Sequence, residues 1–400
     1  MSFSQGLSGL NAASQALDVV GNNIANSQTV GFKSGSVAFA DVFAGSQIGM
    51  GVQVSGVNQS FTDGVLGAGT GSLDMGIQGN GFFRLVNEAG RVFYSRNGQF
   101  KSDANGYIVN NQGMFLTGYQ ATGTPPAIQP GAAVGPIKIP TGQMAARASD
   151  SGTLYGNLNS GTPVVTTTPF DPKNNTSYSS VTQADAYDSL GNKHTINIYF
   201  AKTADNQWTA YSRDATAPGT GYQQTTLQFD TAGHLTTLPA KLNVQSAAYN
   251  GAEALNFDFD LTGMTQQASD TAMNSPTTTG YAPGLMNGYT VGDNGQVIAS
   301  YSNGQKQILG QVVLSNFTNP GGLASQGNNC WAETPESGQP VIGTSGSGNL
   351  GTLYGNKLEA SNVDLSKEMV NMIVYQRNYQ SNSQTIKIQS ELLQTLVNLG

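Results

Sequence analysis

The chain is short of the residues that do chemistry. Its 400 residues contain one cysteine, Cys330, and two histidines, His194 and His234. A single thiol closes no disulfide within the chain, so stability has to come from burial and assembly, and Cys330 is expected as a small buried apolar residue. So few thiols and imidazoles leave no zinc-type spacing, and neither a metal nor a cofactor is expected. Charge is scarce too: charged residues make up 10% of the chain, the formal net charge is −7 and no basic cluster occurs. That removes the electrostatic footprint of a nucleic-acid partner or an anionic membrane surface. No run of 18 apolar residues is present, and the segment from Met1 to Leu7 has neither a basic nor an apolar signal region. Membrane insertion and a Sec signal are therefore not expected.

What the chain has in quantity is glycine, 51 residues of it, together with Ser, Thr, Asn and Gln. These residues favour turns over helix interiors, which points to a β-rich body. At this length two to four domains are expected.

The two ends differ from the middle. Phe3, Leu7, Leu10, Ser14, Leu17, Gly21 and Ile24 step alternately by four and three, a heptad seam without proline. Leu365, Met369, Met372, Gln376, Tyr379, Ser383, Ile386, Ser390, Leu393 and Val397 repeat the pattern behind Asp364, which is placed to cap the helix. A helix over 364–398 is roughly 50 Å long and needs a partner for its apolar stripe. Seam geometry alone is satisfied equally by pairing within the chain and by packing between chains. Gln376, Ser383 and Ser390, polar residues at seam positions of the kind that select a register or partner, favour packing between chains.

Between the ends, glycine-rich 31–71 reads as a connector with short strands. Asn80-Gly81, Asn97-Gly98, Asn105-Gly106 and Gln112-Gly113, then Asn287-Gly288, Asn294-Gly295 and Asn303-Gly304, separate short apolar runs. They predict β-hairpins with type I′ turns. Ile196, Ile198 and Phe200, and Leu255, Phe257, Phe259 and Leu261, alternate with polar residues as strands do. The expected fold class is mainly β with α-helical termini, in a nested multidomain arrangement. Terminal coiled-coil helices occupy 1–30 and 362–400, an inner β domain 72–145 and 284–361, and an outer β domain 146–283 is inserted into the inner one.

A search for an active site finds little. Asp258 and Asp260 share one face of a strand, where they pair as acid and base, hold a calcium ion or simply face solvent opposite Phe257 and Phe259; alternation favours solvent. Gly67, Gly69 and Gly71 have the wrong spacing for a phosphate loop. Trp208, Trp331 and the tyrosines form no cluster in sequence that marks a glycan-binding surface. The chain is not expected to be an enzyme or to take a small-molecule substrate. A β-rich adhesin and a hydrolase are the rival classes.

Residues 21–33, with Asn22, Asn23, Ile24, Ala25, Asn26, Thr29, Gly31 and Phe32, resemble the signature shared by rod and hook proteins of the bacterial flagellum. Thr70 to Phe83, Tyr94 to Phe100, Gly106 to Val109, Asn362 to Val370 and Tyr375 to Tyr379 resemble that family as well. Length and the insertion at 146–283 align the chain with the hook branch rather than the shorter, distal-rod-like branch. The resemblance implies a non-enzymatic hook subunit acting as a universal joint between motor and filament. It implies export by the flagellar type III apparatus without a cleaved signal, and a location in the extracellular hook. Its implied partners are other subunits in a homopolymer, a hook cap protein during assembly, a distal rod protein and a hook-filament junction protein. The expected polymerisation interface is Phe3, Leu7, Leu10, Leu17, Ile24, Leu365, Met369, Met372, Tyr379, Ile386, Leu393 and Val397.

Overall fold

The computed structural model describes residues 3–42, 49–123, 125–129, 131–219 and 221–399, with side chains as far as 395. The chain is mainly β with a helix at each end: α1 spans Phe3–Ala25 and α2 spans Leu365–Leu399. It forms two compact units. One comprises Met1–Thr141, Gly288–Ser300 and Lys306–Gly400, so both helices belong to it; the other comprises Gly142–Asn287 and Tyr301–Gln305.

In the first unit α1 packs on α2 and on an antiparallel hairpin, β1 (Gly35–Asp41) with β2 (Val52–Gln59). A two-stranded ribbon is marginal alone, and the helix supplies the surface that stabilises it. The segment 31–71 is thus largely ordered, with a third strand, Leu66–Ala68, paired to Lys357–Glu359; residues 43–48 of this segment lie outside the described ones. The main sheet is built from both sides of the chain. The long strand Lys306–Asn316 pairs with Phe115–Thr122 and Phe82–Val86, and Val92–Ser95 pairs with Cys330–Ala332. Phe82, Tyr94, Phe317, Leu323 and Trp331 form its aromatic core, with Tyr94 and Phe317 edge to face at 4.7 Å. Cys330 is buried there, and burial pushes its thiol above the ordinary cysteine range.

The second unit holds a four-stranded antiparallel sheet, Ser180–Tyr187, Lys193–Ala204, Gln207–Asp214 and Gln223–Gln228 in that order. A second sheet contains Lys241–Gln245 and Asn256–Asp260, and extends by a parallel pairing with Ser151–Thr153. Ile196, Ile198, Phe200, Trp208, Leu227, Leu242, Val244, Phe257 and Phe259 share one core.

The turns correct the hairpin reading. Type I′ requires positive φ at both central residues, yet only the glycine is left-handed in Asn105-Gly106, Asn294-Gly295 and Asn303-Gly304. Each is a longer loop, closed at Asn294-Gly295 and Asn303-Gly304 by the asparagine side chain itself, which accepts from the residue after the glycine, and at Gly106 by the first side chain of the loop. Asp103 Oδ1 accepts from Asn105 N and Tyr107 N, while Gly106 N donates to Asp103 O; Asn110, Asp188 and Asp230 repeat the arrangement. Asn287-Gly288 is not a turn at all but lies inside the strand Met286–Val291.

Candidate assembly interface of the terminal helices

The seam that α1 uses within the chain is one residue out of phase with the predicted one. Its buried residues are Gly6, Ala12, Ala13, Ala16, Val20 and Asn23, a face of small side chains. Small residues allow close approach: a Cβ on Gly6 would stand 3.0 Å from Ile386 Cγ1, and one on Gly9 would stand 2.7 Å from Asn382 Nδ2. Packing density at this crossing therefore favours glycine and alanine over leucine. The larger apolar residues are turned away, leaving Phe3 49% and Leu7 45% exposed and Leu10, Leu17 and Ile24 half-buried.

On α2 the division is similar. Met372 and Ile386 are half-buried, Ile386 lies against Gly6, and the Tyr375 ring lies 6.3 Å from Phe39 of β1. Leu365, Met369, Tyr379 and Leu393 are exposed, Met369 to 54%. Gln376, Ser383 and Ser390 are exposed too, and the side chain of Val397 lies outside the described residues. Sequence reasoning missed Val370, Ile373, Val374, Ile388 and Leu392, all exposed. Their i, i+4 spacing (370 to 374, 388 to 392) was the signal available. Exposed apolar side chains at this density are the mark of an interaction surface. Asp364 caps α2, accepting from Ser366 N at 2.9 Å and Lys367 N at 3.2 Å.

The signature residues end α1 and turn the chain. Asn23 is buried and clamps the start of β1 in both directions, donating to Gly35 O at 2.8 Å and accepting from Gly35 N at 2.9 Å. Asn26 donates to Asn22 Oδ1 at 2.7 Å and accepts from Thr29 Oγ1 at 3.0 Å, closing the helix end, and Phe32 N donates to Thr29 O. Gly31, at φ +67°, donates its N–H to Glu359 O, and Ile24 and Ala25 form the last turn of α1.

Below the helices sits a buried charge cluster that no local pattern announced. Glu359 Oε1 accepts from Lys33 Nζ at 2.6 Å and Oε2 from Arg96 Nη1 at 3.1 Å, with all three side chains buried. Burial, and then the neighbouring Arg96 cation, lower the Lys33 ammonium below the ordinary lysine range, against the opposing pull of Glu359.

The residues considered for catalysis or glycan binding are otherwise engaged. Asp258 accepts from Asn243 Nδ2 at 2.9 Å, and Asp260 from the Thr262 backbone and hydroxyl, which hold its carboxyl below the usual range. Trp208 and Trp331 are both buried, so neither presents a stacking platform for a sugar. No group of three or more acidic, His or Cys side chains among the described residues is placed to hold a metal, and no described helix is long and apolar enough to cross a membrane.

Four family descriptions match along the chain. The flagellar basal body rod protein family matches residues 5–33 and the flagellar hook protein FlgE/F/G D1 domain residues 76–156. The flagellar basal body protein FlaE D2 domain matches residues 157–281 and the flagellar basal body rod FlgEFG protein C-terminal family residues 355–399. The flagellar hook protein FlgE of Salmonella typhimurium is 53% identical and that of Escherichia coli K12 52%, each over the whole of both chains. The hook protein FlgE of Borreliella burgdorferi is 32% identical over 100% of this chain and 99% of its own. The crystal structure of Helicobacter pylori flagellar hook protein FlgE2 superposes with a TM-score of 0.54 at 14% identity, covering 72% of this chain and 99% of that one, a likeness of fold. With these relatives matched end to end, and a β-rich body between two terminal helices, the chain belongs to the flagellar hook protein family, FlgE.

Proposed function

We propose that the chain is a structural subunit that polymerises into a curved hook, a universal joint passing torque from rod to filament, through the outward apolar residues of its two terminal helices. The observation that carries this is the phase of α1 and α2: small residues close the pair within the subunit, and Phe3, Leu7, Leu365, Met369 and Leu393 stay exposed. Burying one such side chain against a neighbour contributes about 1.5–3 kcal/mol, repeated at every subunit. Leu10, Leu17, Met372, Tyr379 and Ile386 complete the interface from its margins. The polar β surfaces carry weaker contacts that slide as the tube bends.

On the same reading the subunit leaves the cell through the flagellar type III apparatus without cleavage and assembles beneath a hook cap. It sits between a distal rod protein and a hook-filament junction protein, outside the cell, and has no enzymatic role. The test is truncation. Chains lacking residues 1–25 or 365–400 are expected to keep the β signature in circular dichroism and to form no tubes by electron microscopy under polymerising conditions. Native tubes from either truncation would sink the reading.

A further inference from the structure

Three stretches of chain run between the helical end of the first unit and its β body: 30–35, 59–64 and 359–362. Two side chains, three residues apart, stitch all three together. The Glu359 carboxylate accepts from Lys33 Nζ on the first stretch, from Gly64 N on the second at 2.8 Å, and from Arg96 Nη1 in the body. The Asn362 carboxamide accepts from Ser34 N at 2.7 Å and donates to Ser60 O at 2.9 Å and to Thr62 O at 3.2 Å. Lys33 also donates to Thr62 O at 2.7 Å. Arg96 anchors the body side, donating to Gly79 O at 2.7 Å, with its guanidinium 5.3 Å over the Phe82 ring.

From this convergence we infer that Glu359 and Asn362 are positioning residues for assembly: they fix the direction in which the paired terminal helices leave the body, and with it the helical parameters of the polymer. Buried ion networks contribute little net stability compared with apolar packing, and their best attested use is to fix a register. A heterologous interface closes, or winds with a given pitch, according to the rotation between successive subunits. A few degrees of slack at the root of α1 and α2 would be multiplied along the tube. The stretch that glycine content marks as a connector is, at this point, tied by side chains to both of the other stretches. The change of geometry during bending is thereby confined to contacts between subunits.

The inference rests on the reading that the helices polymerise, and its test separates the two. The variant E359Q/N362A removes the carboxylate charge and the carboxamide bridges at little cost in volume. Its tubes are expected to show a changed twist or curvature by helical reconstruction, while Trp331 fluorescence in urea reports a folded body. A role confined to stability would lower the yield of tubes and leave their twist alone, so unchanged twist overturns the inference whatever the yield. If that variant does not fold or forms no tubes, K33R keeps the charge and alters its reach; a shift in twist supports the inference, and wild-type twist again overturns it. Native tubes from the helix truncations would fail the polymerisation reading instead and leave the body's tie points to be judged by these variants alone.

Discussion

His194 Nδ1 stands 2.5 Å from Asp214 Oδ2 in the second unit, and the other ring nitrogen stands 3.3 Å from Asp188 Oδ2, so one imidazole bridges two buried carboxylates. The strand Lys193–Ala204 carries the ring inward, and Tyr249 closes it off edge-on at 5.5 Å. Burial pushes Asp188 up, but hydrogen bonds from Asn192, His194 and Leu190 outweigh it and hold the carboxyl below the ordinary range.

His194→Ala takes the shared ring from both carboxylates, leaving Asp188 with Asn192 and Leu190 and Asp214 with Thr216 N. Leaving a buried acceptor short of a donor costs about 1–3 kcal/mol. Urea unfolding followed by Trp208 in a W331F background measures it, and a loss below about 1 kcal/mol would show that the carboxylates do not depend on the ring.

Asp150 gives a pH signature at the surface of the same unit. Its carboxyl is lowered to about 2 from an ordinary 3.8, first by the Thr279 hydroxyl, then by Arg147 and Ser151. Because the folded value is depressed, its contribution to stability is present above the ordinary value and is lost as pH falls through about 2. Thr279→Val is expected to move the half-titration of Asp150, read by carboxyl NMR, toward 3.8. An unmoved titration would assign the shift to Arg147 instead.

Gly98 tests the body of the first unit. A Cβ there would lie 1.6 Å from Met75 O, the residue whose N–H donates to Gly98 O at 3.0 Å. Gly98→Ala therefore separates two chain segments or breaks that bond, at a cost of about 4 kcal/mol or more. Normal melting of the variant would mean the segments part easily.

The helices allow a two-sided test. Gly9→Leu pushes a large side chain into Asn382 and is expected to raise amide exchange along α1 in the monomer. Met369→Ser, on the outward face, is expected to leave monomer exchange unchanged and to weaken polymerisation at least tenfold in critical concentration, equivalent to about 1.4 kcal/mol. Equal effects of the two substitutions on the monomer would refute the division of faces.

Much of this was legible because period and burial coincide. Ile196, Ile198 and Phe200 alternate and are buried, and Asp364 precedes a heptad and caps it. The face α1 uses within the chain lies one residue from the large apolar seam and carried no apolar signal, because helices this close need small side chains at their crossing. The turns at Gly106 and Gly113 were misread because the side chain that closes each loop, Asp103 or Asn110, stands three residues before the glycine, outside the dipeptide. Glu359 and Lys33 are 326 residues apart, and nothing local to either announces the other. Of the candidate site, the apolar residues proposed to polymerise had a periodic signal; the tie points did not.

Cys330 has a practical consequence. It is the one thiol in the chain, it is 4% exposed and its reactive thiolate form is disfavoured by burial. A cysteine introduced at an exposed helix position such as Gln380 would then be the one site a maleimide probe finds, with the native residue left in place. The protein thus comes ready for fluorescent or spin labelling of single positions, which would let growth of a tube be followed subunit by subunit.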